Sequence, residues 1–227
     1  MNKILVVAAH PDDEVLGAGA TVARRIAEGD QAFALILGEG QTSRWDKRTE
    51  ADTNAVQELH RNTLEAAEII GFENVYFENL PDNRFDSVDL LDVVKCIEKY
   101  IQKVQPGIIY THHSHDLNID HRITFEAVLT ATRPVRKCPV KEIYTFETVS
   151  STEWNFGNRQ HMFYPNVFMD VSDFMKIKIR AMEKYCSELC CFPHPRSIET
   201  LEAGAKRWGS TVGKNYAEAF ELIRKVE

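Results

Sequence analysis

Cysteine is scarce and unevenly placed. There are five in 227 residues, namely Cys96, Cys138, Cys186, Cys190 and Cys191. The odd count and the lack of any CxxC pair argue against a disulfide framework. Cys186 and Cys190 lie four apart on a predicted helix and read as packing residues or free thiols. No apolar run approaches the roughly 18 residues of a membrane-spanning helix. The N-terminus has one lysine before a short strand-like run, with no separate export segment or small-residue cleavage site, so it reads as mature sequence and the expected compartment is the cytosol. Basic residues are outnumbered, 27 Lys and Arg against 34 Asp and Glu, for a net charge of −7. That balance argues against nucleic acid or an anionic membrane as main partner, while allowing a local basic pocket. Repeats, low-complexity tracts and linker-like composition shifts are also missing. With 44% hydrophobic residues, residues 1–227 are expected to form a single domain.

What is present is an alternation of apolar runs and helical patterns. Residues 3–9 and 32–37 read as strands, with a helix over 15–28 between them that ends at Gly29. A helix from about 52 to 70 stops at Gly71, and 74–77 reads as a short strand. Leu90, Leu91, Val94, Ile97, Ile101 and Val104 repeat at helical spacing, Pro106-Gly107 ends that helix, and 108–111 begins another strand. The β-α-β-α order predicts an α/β fold: a Rossmann-like, mostly parallel sheet with helices on both faces. The second half is less regular. Residues 122–131 look helical, 143–146 and 166–169 look like strands, and from Ser172 the pattern is helical with a break at 192–195.

The segment Ala9-His10-Pro11-Asp12-Asp13-Glu14 carries the strongest chemical signal. It joins a buried strand to a helix start, the place where open α/β sheets bind ligands. A histidine and clustered carboxylates there suit a divalent cation and a general base, although a helix N-terminus also favours negative charge. Gly17-Ala18-Gly19 does not complete a dinucleotide fingerprint, because Val22 fills its last position and the acids before it would repel a pyrophosphate. A second cluster, His112-His113-Ser114-His115-Asp116-Leu117-Asn118-Ile119-Asp120-His121-Arg122, follows the strand at 108–111. If the two strands are neighbours, the clusters converge. Imidazole and carboxylate serve zinc and other divalent metals, and a catalytic zinc keeps three protein ligands and an open position for water.

Together the clusters resemble the LmbE-like, or PIG-L, family of zinc-dependent N-deacetylases. AHPDDE matches its first signature and Asp120-His121 its second. The likeness extends to Leu80-Pro81-Asp82-Asn83, to Pro193-His194-Pro195-Arg196-Ser197, to Trp208-Gly209-Ser210 and to Tyr216-Ala217-Glu218-Ala219-Phe220. The resemblance implies His10, Asp13 and His121 as ligands of Zn2+, with Fe2+ as the alternative. It implies Asp12 as the base for attack of metal-bound water on an N-acetyl group of an amino sugar or its conjugate, and Glu14 as a supporting group. It also implies a homo-oligomer. Many members carry a histidine three positions before the last ligand, where this chain has Asn118. Either Asn118 supplies a neutral donor or another histidine takes over, with His194, on a Pro-flanked segment, favoured over His113 and His115.

Plainer readings stand beside these. His10 alone would be a satisfied strand-end residue, and His121 a helix-start residue beneath an Asp120 cap. His112, His113 and His115 read as lining or supporting the site. Arg61 is either a substrate contact or a solvated pair with Glu65. Arg44, with Trp45, binds a sugar or covers the core, and Asp82 binds substrate or serves its turn. His60 and His161 have no partner that the sequence names. The rival functions are an amidase acting on a thiol-sugar conjugate or another amide, and a non-catalytic sugar- or nucleotide-binding protein.

Overall fold

The computed structural model describes residues 1–135, 138–157 and 159–227. Seven strands form one sheet: β1 (Lys3–Ala8), β2 (Gln31–Gly38), β3 (Asn74–Leu80), β4 (Ile108–His112), β5 (Glu142–Phe146), β6 (Val167–Asp170) and β7 (Ala217–Lys225). Their spatial order is β3-β2-β1-β4-β5-β7-β6. β1 pairs in parallel with β2 and β4, and β3 and β5 continue that direction. β7 runs antiparallel to both of its neighbours. The chain leaves β1 toward β3 and then returns to the other side of β1 at β4. That reversal opens a crevice at the carboxyl ends of β1 and β4.

Side chains alternate across the sheet, so β1 feeds two cores. Ile4 and Val6 face α1 (Asp13–Ala27), α2 (Thr53–Ile70), α5 (Met175–Met182) and α6 (Ile198–Thr211). Leu5 and Val7 face α3 (Leu90–Val104) and α4 (Ile119–Ala131). Helices therefore cover both faces, as the alternating pattern predicts. α2 ends at Gly71, whose φ of 98° closes it through an N–H bond of 2.8 Å to the Ala67 carbonyl. α1 lies so close to the sheet that a Cβ on Gly17 would come 2.2 Å from the Phe146 ring. Among the described residues, no helix is long and apolar enough to cross a membrane.

The tail departs from the sequence reading. Helix persists through α5 and α6, but residues 217–225 form β7. Ala, Glu and Leu favour helix locally. Pairing between β5 and β6 overrides that weak preference, as tertiary context routinely does. α1 also begins two residues earlier, at Asp13, and α4 three earlier, at Ile119.

One contact ties the first residue after β4 to β7 and depends on pH. His113 places Nδ1 2.9 Å from Glu221 Oε2 and Nε2 3.1 Å from the His161 carbonyl. Both partners are acceptors, so the ring satisfies both only as imidazolium. Burial opposes that charge, but Glu221 and the carbonyl outweigh it and raise the His113 pKa. Burial likewise opposes ionisation of Glu221, yet His113 and the Tyr164 N–H hold its carboxyl below the usual value. The histidine contribution is complete below about pH 6.5 and fades as pH rises through the folded pKa; the glutamate contribution is complete above about pH 4.3 and fades on acidification. Urea unfolding of wild type and His113→Gln should therefore differ by about 1 kcal/mol near pH 5.5. The gap should narrow at pH 8.5; an equal gap at both would mean that the ring is neutral.

Candidate metal centre

The turn after β1 is held tightly. Asp12 has φ 104°, a region disfavoured for a residue with a Cβ and often found where function demands it. Its N–H donates to Glu14 Oε2 at 3.1 Å, and its carbonyl accepts from Val15 and Leu16 at 3.0 and 2.8 Å. This geometry turns His10 and Asp13 toward the end of β4, where α4 begins.

Three donor atoms meet there. His10 Nδ1 lies 3.4 Å from Asp13 Oδ2. His121 Nε2 lies 3.3 Å from the same oxygen and 3.3 Å from His10 Nδ1. Bonds of about 2.0–2.1 Å to a tetrahedral zinc place its ligand atoms about 3.3–3.4 Å apart. The triangle therefore has the dimensions of one face of a four-coordinate site. Asp13 Oδ1 is buried without a hydrogen-bond partner, a costly arrangement that a cation beside the carboxylate would offset.

The outer ring nitrogens face carboxylates. His10 Nε2 donates to Asp120 Oδ2 at 2.9 Å and lies 3.3 Å from Asp82 Oδ1. His121 Nδ1 lies 3.1 Å from Asp116 Oδ1, an ion-pair contact rather than an aligned hydrogen bond. Such partners orient ligand histidines and leave the inner lone pair free for metal. Asp120 is fixed by the Asn83 and Phe85 N–H groups at 2.6 and 3.0 Å. Asp116 accepts from Ser151 Oγ and, at 2.5 Å, from Thr152 Oγ1. Burial pushes its carboxyl up, but His121 and these hydroxyls win and hold it at about 2. The same carboxylates make this point favourable for positive charge. Burial opposes protonation of His10 and His121, yet their acidic neighbours raise both, His121 to about 9. The residues thus fit a divalent cation in size, donor type and field.

His112 is a wall of the site. Its Nε2 accepts the Ala9 N–H at 2.9 Å, its Nδ1 lies 3.2 Å from Thr148 Oγ1, and its ring stacks on His121 at 3.9 Å. Burial, with His121 beside it, lowers its pKa to about 3, so the ring is neutral.

A polar cleft of about 140 Å3 opens at the His10 corner of the triangle, lined among others by His10, Asp12, Arg44, Asp82, Asn118 and Arg196. Asp12 is buried, and its Oδ2 receives Arg196 Nη1 at 2.9 Å. Burial pushes the Asp12 carboxyl well up, against the pull of Arg196. Arg196 also lies 3.2 Å from Glu188 and donates to Ser150 Oγ at 2.8 Å. Arg44 Nη2 binds both Glu188 oxygens, at 2.9 and 2.8 Å. Asp82 Oδ2 accepts the Ser43 N–H and hydroxyl at 2.9 and 2.6 Å.

The remaining candidates divide: Asn118 lines the cleft, and His194 and Arg61 do not. Asn118, not Asp120, caps α4: its Oδ1 accepts the Asp120 N–H at 2.9 Å, while Nδ2 donates to Asn83 Oδ1 at 3.0 Å. His194 does not line the cleft. Its Nδ1 accepts the Arg196 N–H at 3.1 Å and its ring meets Trp154 edge-on. The Pro-flanked segment thus brings Arg196 to Asp12, with His194 bound to the Arg196 backbone. Arg61 is exposed on α2, paired with Glu58 at 3.1 Å and 4.0 Å from Glu65, the solvated arrangement. Arg196, Glu188, Asp116 and Asp120 carry no site role in the sequence reading, whereas Asp82, read there as a substrate contact, also stands behind His10. Asp116 and Asp120 do stand inside the quoted second cluster.

The scaffold is a doubly wound α/β sheet with three side chains that could hold a cation, His10, Asp13 and His121, grouped at its switch point. The PIG-L family, described as GlcNAc-PI de-N-acetylase, matches residues 5–132, which include both signature clusters; the chain belongs to this family. It is 27% identical over 190 residues to the uncharacterized deacetylase YaiS of Escherichia coli K12, spanning 81% of this chain and 90% of that protein. It is 24% identical over 237 residues to the diacetylchitobiose deacetylase of Thermococcus kodakarensis, spanning 98% and 84%. The structure of GalB, the 4-carboxy-2-hydroxymuconate hydratase from Pseudomonas putida KT2440, superposes with a TM-score of 0.75 at 24% identity over 100% and 99% of the two chains. That likeness shows the fold, which therefore also occurs in a protein named for hydration.

Proposed function

We propose that this chain is a metal-dependent hydrolase that removes an N-acetyl group from an amino sugar or its conjugate. The observation that carries the reading is the His10–Asp13–His121 triangle beside the buried carboxylate of Asp12, within a polar cleft. His10, Asp13 and His121 would hold Zn2+ or Fe2+. A divalent cation bound there supplies Lewis acidity toward the amide carbonyl and makes water a better nucleophile.

The chain's own groups do the rest. Asp12 takes a proton from the attacking water and returns one to the leaving amine, giving acetate and a free amine. Arg196 fixes the orientation of that carboxylate, and Glu188 holds Arg196 in turn. Asn118 serves as a neutral N–H donor in the cleft and carries no proton. Asp82 and Arg44 offer polar contacts to sugar hydroxyls from the cleft wall. Arg61, on the solvent face of α2, takes no part in this reading. The relatives' names, a diacetylchitobiose deacetylase among them, support a sugar amide as substrate. A cytosolic homo-oligomer acting on a small molecule completes the proposal.

The test is acetate release from a panel of N-acetylated sugars, glycosides and nucleotide sugars, with elemental analysis of the purified protein. Acetate and amine in equal amounts, abolished by chelator and restored by Zn2+ or Fe2+, support the reading. Bound metal with cleavage only of thiol-sugar or peptide-like amides would move it to that amidase class. Protein that binds no cation would refute it.

A further inference from the structure

A second cavity, of about 420 Å3, opens beside the loop after β5, within the size range of small-molecule sites. The rings of His113, His115, Phe156, Phe163 and Trp208 and the thioether of Met162 contribute to its walls. Most polar groups around it already have partners. His113 is bound at both nitrogens. Glu147 accepts the Trp208 indole N–H at 2.6 Å, and Glu153 accepts the Ser150 and Ser151 N–H groups at 2.6 and 3.2 Å. Asn155 donates to the His115 carbonyl at 2.6 Å, and the Arg207 guanidinium lies over the Trp208 ring. What is left for a ligand is mainly aromatic surface and sulfur. Phe156 is 80% exposed and Met162 56% exposed, large apolar groups left uncovered at a cavity wall. The metal cleft, lined by carboxylates and guanidinium groups, has the opposite chemistry.

We propose that this cavity binds a flat apolar group, an aryl or short alkyl moiety, next to the metal cleft. One turn connects the two spaces. Ser150 Oγ accepts from Arg196 in the cleft, Ser151 Oγ lies 3.3 Å from the Asn118 N–H, and Thr152 lines the cavity while donating to Asp116 behind His121. The apolar group has two sources. It is the aglycone of an acylated amino sugar held in the cleft, an arm that rests on the proposed function, or it is a separate molecule.

The binding test needs no hydrolysis. Phenyl β-D-glucopyranoside, which has no amide, and 4-nitrophenol are titrated into the metal-loaded protein and followed by calorimetry. Wild type is compared with the double variant Phe156→Ala/Met162→Ala, whose side chains are exposed enough to leave folding intact. Saturable binding of either probe, weakened about tenfold in the double variant, supports the proposal. This result stands even if no acetate is ever released. Absence of saturable binding by both probes, or binding that the double variant leaves unchanged, overturns it. The source is then read from kinetics. An aglycone lowers KM for phenyl N-acetylglucosaminide about tenfold below that of the free sugar, with the ratio falling toward one in the double variant. A separate molecule leaves that ratio near one in both proteins while 4-nitrophenol still binds.

Discussion

If the proposed function holds, Asp12→Ala should keep a bound cation and lower hydrolysis by about 10²- to 10⁴-fold, the range expected for loss of a general base. The separation follows from geometry. The donor triangle is built by His10, Asp13 and His121, and Asp12 lies outside it, with its side chain on Arg196. Removing the carboxylate does not isolate the guanidinium, which keeps Glu188 at 3.2 Å and Ser150 Oγ at 2.8 Å. The backbone is the confounding factor, because φ is 104° here and alanine tolerates that region less well than asparagine. Asp12→Asn is therefore the control: it preserves shape and local conformation but cannot accept the proton. His121→Ala is the contrast, because it removes a donor and should lose metal and activity together. Elemental analysis and acetate release, run on all three variants, separate base from ligand. Full turnover by Asp12→Ala would refute the base role, and metal loss in Asp12→Asn would place Asp12 among the ligands.

The parts of this molecule that local pattern encodes were legible. β1, β2 and β4 are apolar runs bounded by polar or glycine residues, and α3 repeats its apolar residues at helical spacing, so neither needs distant information. The meeting of the two His/Asp clusters was legible for a related reason: each follows a strand directly, and parallel neighbours bring strand ends together. β7 was not. Its first four residues, Ala217 to Phe220, are all buried, so the alternation that marks a strand is erased, and a buried Glu218 reads as a helix-surface residue. Arg196 was hidden differently. It meets Asp12 from 184 positions away, and nothing in local spacing distinguishes it from His194 two residues earlier. The carboxylates behind the histidines occupy the middle case. Asp116 and Asp120 stood inside the second cluster, but assigning one to His121 and the other to His10 requires the crossing of β1 and α4 in space. Sequence periodicity reports what a residue faces within its own element. It is silent on which distant charge completes it.

Glu218→Ala should cost about 3–5 kcal/mol of stability, as does breaking other buried ion pairs from one side. Glu218 and Lys178 are both buried, and Lys178 Nζ lies 2.6 Å from Glu218 Oε1. Glu218 also accepts the Ala20 and Thr21 N–H groups of α1 at 3.2 and 2.6 Å, while Lys178 donates to the Leu16 carbonyl at 2.6 Å. Carboxylate and ammonium thus pin β7 and α5 to the middle of α1, beside the close approach at Gly17. Truncating the glutamate leaves the Lys178 ammonium buried with one carbonyl and no counter-charge. The double variant Lys178→Met/Glu218→Leu behaves differently. Neither charge remains, and Leu16 and Ala20 stand four apart, so the carbonyl of one and the N–H of the other can pair as in any regular helix. It should recover most of the lost stability, because replacing both members of a buried pair by apolar residues is often close to neutral. Urea unfolding midpoints with matched m-values would read both effects. A loss below about 1 kcal/mol in Glu218→Ala would show that surrounding packing, not this pair, holds α1 to the sheet.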